Sequence, residues 1–186
     1  MSDLTDALWA TLDVLDELGI PYVIMGGLAV RFYGVPRPTY DVDFTISMAR
    51  DELPRLYSSV ARAGFTVPDQ YRQGWVDTIN ELPLLKFRLY VRSGSFDIDV
   101  FLAETAFQKS VMQRRINGSI DDRPVGIVTP EDLILLKLIA NRSRDYVDIP
   151  DIRFMQGQLD EAYPRTWAAQ LNVVDRLEQV LAEPAL

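Results

Sequence analysis

The chain contains no cysteine and no histidine among its 186 residues. Without cysteine, disulfide bonds and thiolate metal sites are excluded. Without histidine, the Ser-His-Asp and Cys-His mechanisms are excluded, and so is the commonest zinc ligand. Any general base must therefore be a carboxylate, a lysine, a tyrosine or water. Any bound metal must lie among oxygen ligands, which favours magnesium or manganese.

Long apolar runs and excess positive charge are also missing. No run approaches the roughly 18 residues of a membrane-spanning helix, and residues 1–6 are acidic without an apolar signal segment. We therefore expect a cytoplasmic protein that does not bind a membrane. The 19 Lys and Arg are outnumbered by 27 Asp and Glu, which gives a net charge of −8. This balance argues against duplex DNA and is compatible with a small anionic ligand or an RNA end.

The composition is otherwise that of a globular protein, with 48% hydrophobic and 25% charged residues. Helical periodicity near the N-terminus is followed by a short apolar strand at 22–25 and by three alternating segments at 39–46, 84–92 and 95–102. A hairpin turn is predicted at 93–95. The pattern predicts an α/β or α+β fold in which a small mixed sheet is flanked by helices.

From residue 104 onward the pattern predicts helices. Thr129 followed by Pro130 is a strong helix start, and Pro150 is expected to open a further helix. A division near residue 128 follows. The sheet-bearing core with the active site would span 1–128, and a helical C-terminal part packed on it would span 129–186.

The most informative motif is a glycine pair followed by two alternating acids. Gly26 and Gly27 end the first strand, and Asp41 and Asp43 lie on the next. Glycines without Cβ atoms let phosphate oxygens approach the backbone N–H groups, at the positive end of the following helix. Acids at i and i+2 on a strand point to one face, with Cα atoms about 6.6 Å apart. Their mutual repulsion favours a bound divalent cation.

A third acid would complete such a site. Asp97 and Asp99 share one face of the 95–102 strand, and either can join the pair if the two strands are neighbours. Arg37 lies on a stiff Pro-flanked loop near the acids, and Lys137 lies at the edge of a buried helical stripe. Both could neutralise phosphate charge.

Each of these features has an ordinary alternative. A glycine pair alone is weak, a lone Asp-x-Asp is usually a solvated strand face, and a helical lysine usually faces solvent. Arg142, Arg144, Asp145 and Asp148 could form exposed helix pairs worth a few tenths of a kcal/mol. The combination, in order and at this spacing, is what favours a functional site.

The string Gly26-Gly27, thirteen intervening residues and Asp41-Val42-Asp43, with a later Asp on a strand, resembles the DNA polymerase β-like nucleotidyltransferase superfamily. The stretches 26–43 and 129–148 are similar to minimal bacterial members, in particular the AbiEii-type toxin nucleotidyltransferases. The resemblance covers roughly residues 15–155.

This resemblance implies a nucleotidyltransferase fold and the transfer of a nucleoside monophosphate from an NTP. It implies catalytic and metal-binding roles for Asp41, Asp43 and Asp99. Asp99 is favoured over Asp97 because residues 98–102 look more like the family string. Magnesium or manganese is the implied cofactor. The nucleotide-binding residues would be Gly26, Gly27, Arg37, Thr39 and Lys137.

The acceptor stays open. A toxin of a toxin–antitoxin pair would modify tRNA or a protein and would have an antitoxin partner. A second possibility is a small hydroxylated acceptor of the antibiotic type. A third is a nucleotide-binding module without catalysis, against which the intact set of acids argues.

Overall fold

A computed structural model describes residues 3–91 and 94–183. Within these residues the chain forms an eight-stranded mixed sheet and nine α-helices. The strands are β1 (Tyr22–Met25), β2 (Asp41–Ile46), β3 (Phe65–Thr66), β4 (Asp77–Ile79), β5 (Leu82–Val91), β6 (Gly94–Leu102), β7 (Ile116–Ile120) and β8 (Arg123–Ile127). The α-helices are α1 (Asp3–Glu17), α2 (Gly26–Tyr33), α3 (Leu53–Arg62), α4 (Asp69–Arg72), α5 (Ala106–Arg114), α6 (Pro130–Ala140), α7 (Asp145–Gln156), α8 (Ala162–Ala168) and α9 (Val174–Ala182), with a 3₁₀ turn at Arg50–Glu52.

The sheet order is β3-β5-β6-β2-β1-β8-β7, and β4 pairs with β5. The pairs β2–β6 and β1–β8 are parallel and the others are antiparallel. The predicted α/β class with a mixed sheet is therefore confirmed. The centre of the sheet is the group β1, β2 and β6, which brings the glycine turn and both acidic strands together.

The prediction of a hairpin turn at 93–95 is wrong for its last two residues. Gly94 and Ser95 belong to β6, and Val91 pairs with Gly94. Ser93, the first residue of the predicted turn, lies outside the described residues. This shift matters for the site, because hairpin register decides which side chains of the two strands lie opposite each other.

The expectation of helices alone after residue 104 is wrong. The strands β7 and β8 form a hairpin joined by Asp121 and Asp122, which have φ values of 47° and 62°. Two consecutive left-handed residues are the geometry of a type I′ turn, which matches the twist of an antiparallel pair. Tertiary pairing of β8 with β1 then holds the hairpin in the sheet.

The predicted start of α6 is confirmed, because the Thr129 side chain accepts a hydrogen bond from the Asp132 backbone N–H. Pro150 does not open a helix. It lies inside α7, which begins at Asp145. A proline in a helix removes one backbone hydrogen bond, and the burial of Ile149 and Ile152 on the inner face of α7 compensates for that loss.

One hydrophobic cluster connects the sheet with the C-terminal helices. It includes Phe44 and Val100 from the sheet, Leu133 from α6, Ile149 from α7 and Leu177 from α9. In the described part of the chain, no helix combines the length and the apolarity that crossing a bilayer requires.

Candidate active site

The turn between β1 and α2 needs glycine at both of its positions. Gly26 has φ +62°, and a Cβ added there would lie 1.8 Å from Asp43 Oδ2. A Cβ at Gly27 would lie 2.4 Å from Thr39 Oγ1. The glycines therefore make room for the side chains of Thr39, which precedes β2, and of Asp43 on β2, in addition to exposing the first N–H groups of α2.

The strand register brings the acids to one face. Asp43 pairs with Met25 on β1 and with Asp99 on β6, while Asp41 pairs with Asp97. Because β2 and β6 are parallel and in register, the four carboxylates project from the same side of the sheet. Asp43 and Asp99 also line one cavity of about 140 Å³ beside Gly26.

The two candidates for the third acid differ in their surroundings. The Asp99 side chain is 17% exposed, and Lys86 Nζ lies 2.9 Å from each of its carboxylate oxygens. Asp97 is 49% exposed and is held by Arg88, with 2.5 Å between Arg88 Nε and Oδ1. The carboxylate next to Asp43, and the less exposed of the two, is that of Asp99.

Asp41 is held from two sides. Thr39 Oγ1 donates to Asp41 Oδ1 at 2.7 Å, and Arg144 Nη2 lies 3.6 Å from Asp41 Oδ2. Thr39 itself is buried against Gly27. Gly27 leaves room for Thr39, and Thr39 holds Asp41. The position of Asp41 thus depends indirectly on Gly27.

Among the acids of β2 and β6, Asp43 is the one whose charged form is most strongly disfavoured. Burial, followed by the charges of Asp41 and Asp99, raises the pKa of Asp43 to about 7. Its carboxylate receives no hydrogen bond from another described residue. Burial also raises the pKa of Asp99, and the Lys86 hydrogen bond offsets this only in part. Carboxylates whose charged forms are disfavoured by burial and by mutual repulsion are stabilised by a nearby cation.

The carboxylates are not yet gathered around one point. Within 3–91 and 94–183, no three acidic side chains are arranged as a ready metal site. The reason is visible in their partners, since Asp99 turns to Lys86 and Asp41 turns to Thr39. The donor set fits Mg²⁺ or Mn²⁺, because both prefer carboxylate oxygens.

Arg37 and Lys137 converge on one buried carboxylate. Arg37 Nε and Nη2 donate to Asp148 at 2.7 Å each, and Lys137 Nζ donates to Asp148 at 2.5 Å and to Asp145 at 3.2 Å. Lys137 is only 3% exposed, and Arg142 holds the other side of Asp145. We call these five residues, namely Arg37, Lys137, Arg142, Asp145 and Asp148, the α6–α7 ion cluster.

The ion cluster adjoins the acids. Lys137 and Arg142 line the same 140 Å³ cavity as Asp43 and Asp99, although the Lys137 ammonium group turns to Asp145 and Asp148. Burial raises the pKa of Asp148, but hydrogen bonds from Arg37 and Lys137 outweigh it and hold the pKa below the ordinary value. With three cations and two anions, the cluster keeps one net positive charge next to the acids.

Sequence reasoning missed Lys86, Asp145 and Asp148 as parts of this arrangement. The alternative of exposed helix pairs does not hold for either aspartate, because both are buried. A signal was present, because Asp145, Asp148, Ile149 and Ile152 share one helical face at spacings of three and four. No comparable signal identified Lys86. Its partner, Asp99, is decided by the register of the β5–β6 pair.

Comparisons with known proteins identify the family and the fold of the chain. A family model described as nucleotidyl transferase AbiEii toxin, type IV TA system, matches residues 7–153. No curated protein sequence matches the chain. A crystal structure of ANT(2'')-Ia in complex with adenylyl-2''-tobramycin has a TM-score of 0.61 at 16% identity, covering 92% of this chain and 98% of that one. The lincosamide antibiotic adenylyltransferase LnuA, lincomycin-bound, has a TM-score of 0.52 at 16% identity, covering 80% and 95%.

Proposed function

The chain belongs to the AbiEii nucleotidyltransferase family, and from this premise we propose that it transfers a nucleoside monophosphate from an NTP to an acceptor hydroxyl, using a divalent cation held by its aspartates. The observation that carries the proposal is the register of Asp43 with Asp99 beside the β1–α2 turn. This register supports a site in which the acids, the phosphates and the acceptor meet on one face of the sheet.

The reaction is a displacement at the α-phosphorus. The acceptor oxygen forms a bond to this phosphorus, the bond to the pyrophosphate oxygen breaks, and pyrophosphate leaves with that electron pair. The acceptor proton passes to a carboxylate, for which we propose Asp99, and then to solvent. Positioning and charge stabilisation supply most of the rate in reactions of this kind.

Asp41, Asp43 and Asp99 would hold the cation. When bound, Mg²⁺ or Mn²⁺ supplies neutralisation of the triphosphate charge and of the developing oxyanions. Asp43 is suited to this role because its carboxylate lies between two other acids without a protein donor. Asp99 would exchange its contact with Lys86 for a place beside Asp43.

Gly26, Gly27 and the first turn of α2 would bind the triphosphate through backbone N–H groups. Thr39 would fix Asp41, with which it shares a 2.7 Å hydrogen bond. Arg37 and Lys137 would contribute positive charge from the α6–α7 ion cluster. Asp148 joins these two side chains, so both act from fixed positions.

For the acceptor we propose a macromolecule, tRNA or protein, modified by a toxin that has an antitoxin partner. The description of the matched family, a type IV toxin, supports this choice. A second candidate is a small hydroxylated acceptor. It is favoured by the ANT(2'')-Ia and LnuA structures, which are in complex with adenylyl-2''-tobramycin and with lincomycin. The acidic net charge of −8 also favours it, because it suits a cationic molecule.

The test is incubation of the protein with each labelled NTP, Mg²⁺ and a cell extract. We expect label in one macromolecular band or in a small-molecule fraction, which identifies the acceptor. Asp43→Asn and Asp99→Asn should each lower transfer by at least about 10²-fold, the scale on which misplaced reacting groups reduce rates.

Asp97→Asn is the matched control, because Asp97 lies on the same strand face, more exposed and paired with Arg88. It should retain most of the activity. Undiminished transfer by the Asp43 variant would refute the proposed site. NTP binding without transfer to any acceptor would instead identify a nucleotide-binding module.

A further inference from the structure

Two arginines next to the candidate active site have no role in the reaction proposed above. Arg142 and Arg144 lie in the segment 141–144, which joins α6 to α7. Arg142 lines the cavity of about 140 Å³ that Gly26, Asp43 and Asp99 also line. The glycine turn, two of the acids and one guanidinium group therefore border the same space.

Arg144 lies next to Asp41, with 3.6 Å between Arg144 Nη2 and Asp41 Oδ2. Burial and the charges of Asp41 and Asp99 raise the pKa of Asp43 to about 7, and the positive charges of Arg142 and Arg144 act in the opposite direction. Both guanidinium groups are thus close enough to the acids to influence them.

Both arginines keep hydrogen-bond donors that a ligand can reach. Each side chain is 48% exposed. Arg142 donates from Nε and Nη2 to Asp145, at 2.9 and 3.3 Å, and its Nη1 has no acceptor among residues 3–91 and 94–183. The Arg144 guanidinium donates no hydrogen bond to any residue in those ranges, and its contact with Asp41 is too long for one.

The other two cations of the α6–α7 ion cluster differ in this respect. Lys137 is 3% exposed and donates to Asp145 and Asp148. All three side-chain nitrogens of Arg37 donate, two of them to Asp148 and Nη1 to the Pro38 carbonyl at 3.2 Å. A phosphate would have to compete with the Asp148 carboxylate for either of these cations.

The backbone fixes Arg142 at the cavity. Asn141, the residue after α6, has the left-handed conformation with φ 54° and ψ 38°, which ends the helix. The Asp145 carboxylate then accepts hydrogen bonds from the Arg142 backbone N–H, at 3.1 Å, and from the Arg142 guanidinium. A guanidinium held in this way loses little conformational freedom when a ligand binds.

An NTP brings further negative charge to a sheet face that already carries aspartates. A divalent cation neutralises part of this charge, and the Lys86 ammonium group on the same face is occupied by Asp99. Arginine suits the remaining phosphate oxygens, because its planar fork can donate to two of them at once.

We propose that Arg142 and Arg144 bind the triphosphate of the NTP directly, together with the backbone N–H groups of the β1–α2 turn. Arg37 and Lys137 contribute positive charge from behind, through their fixed positions around Asp148. This assignment rests on the proposed transfer function and adds the side chains that contact its nucleotide.

The test is nucleotide binding without an acceptor, measured by calorimetry on the full chain. ATP, GTP, CTP and UTP are titrated in turn with Mg²⁺ present, and the NTP that binds the wild type most tightly is used further. Arg144→Met should weaken its binding by at least about tenfold, the scale of one hydrogen bond to a charged group. The loss should be smaller for the corresponding monophosphate, which carries less charge. Arg144→Lys, which keeps the positive charge, should restore part of the affinity.

Arg142→Met should change NTP binding in the same direction. Because this substitution also removes a partner of the buried Asp145, folding of the variant is checked by thermal denaturation. Arg144→Met removes no hydrogen bond of the described chain, so it tests the assignment without this complication.

Arg88→Met is the matched control, because Arg88 is an arginine of similar exposure, 49%, that is paired with Asp97 on the acid face. It should bind the NTP within about threefold of the wild type, since exposed ion pairs contribute little. If Arg144 serves only as the counter-ion of Asp41, its removal frees that carboxylate for Mg²⁺, and the NTP binds as tightly as before or more tightly. That result would overturn the assignment and leave the proposed function intact, whereas a wild type that binds none of the four NTPs would overturn both.

Discussion

Glycine is needed at position 26 for two reasons, the left-handed backbone conformation and the close approach of the Asp43 side chain. Its φ of +62° is open to glycine at low cost, and its missing Cβ leaves the space that the Asp43 carboxylate occupies. The same relation holds between Gly27 and Thr39. At the residue scale, the glycine pair, Thr39 and Asp43 therefore form one packing unit, in which each glycine fixes where one of the two side chains can lie.

Gly26→Ala should strongly lower transfer, because the new Cβ would displace the Asp43 carboxylate. Gly19→Ala is the matched control, since Gly19 has φ +65° and nothing within 4 Å of an added Cβ. Both variants should lose about 1–2 kcal/mol of stability from the left-handed backbone. Only Gly26→Ala should lose activity, by about 10²-fold. Urea denaturation and the transfer assay measure the two effects, and equal activity of the variants would contradict the packing argument.

Asp43 should make the metal-free protein less stable as pH rises. Its folded-state pKa of about 7 lies above the ordinary value of about 3.9, so the folded state binds more protons between these values. The contribution of Asp43 to the free energy of unfolding therefore falls as pH rises across that window. We expect Asp43→Asn to melt at a higher temperature than wild type in EDTA, with a larger difference at pH 8 than at pH 5.

Addition of Mg²⁺ at pH 8 should reduce this difference, because the cation stabilises the wild-type carboxylates and not the amide. Comparing the two proteins at each pH cancels the titration of the groups that do not interact with Asp43. A melting difference that is the same at pH 5 and pH 8 would show that the ionisation of Asp43 does not weaken the fold.

At the scale of elements, α6 and α7 are joined to the loop before β2 by the ion cluster. Asp148 on α7 accepts hydrogen bonds from Lys137 on α6 and from Arg37 on the loop. Fully paired buried charges of this kind are weak as a source of stability, but removal of one partner leaves the others uncompensated. The cluster thus fixes how the helices meet the acid-bearing strand.

Asp148→Ala should lower the free energy of unfolding by about 3–5 kcal/mol, because it leaves Lys137 and Arg37 without their shared acceptor. Asp151→Ala on the same helix is the control, with an expected change within about 0.5 kcal/mol. Guanidinium denaturation measures both. A loss below about 1 kcal/mol for Asp148→Ala would show that solvent compensates the two cations.

At the scale of the whole molecule, we propose that residue 128 divides two parts of one folding unit. The hydrophobic cluster includes residues of the sheet and of α6, α7 and α9. Arg37 and Asp148 link the two parts by an ion pair across a separation of 111 residues. Each part alone would expose apolar surface that the other covers.

A fragment of residues 1–128 should therefore fail to fold cooperatively. Burial contributes roughly 25 cal/mol per Å² of apolar surface, and the fragment would lose the cover of α6 and α7 over the acid-bearing end of the sheet. The full chain under the same conditions is the control. Dispersed amide NMR signals and a cooperative melting transition in the fragment would show that the core folds independently.

Local sequence patterns identify those strands and helices in which buried residues recur with the period of a strand or of a helix. The strand at 22–25, the alternation around Asp41 and Asp43 and the Thr129 cap were all predictable for this reason. The β7–β8 hairpin was missed because its short strands are held by pairing, β7 with β8 and β8 with β1, and not by a local apolar alternation. Pro150 was misassigned because the burial of its neighbours outweighs its local preference.

The sequence by itself determined the fold class, the glycine turn and the acidic face of β2, because alternation and glycine content act within a few residues. Only the tertiary structure decided that Asp99 pairs with Asp43, that Lys86 holds Asp99, and that Asp148 joins Arg37 to Lys137. Those contacts depend on strand register and on helix packing. Both are fixed by the shared burial of distant segments, which no local pattern records.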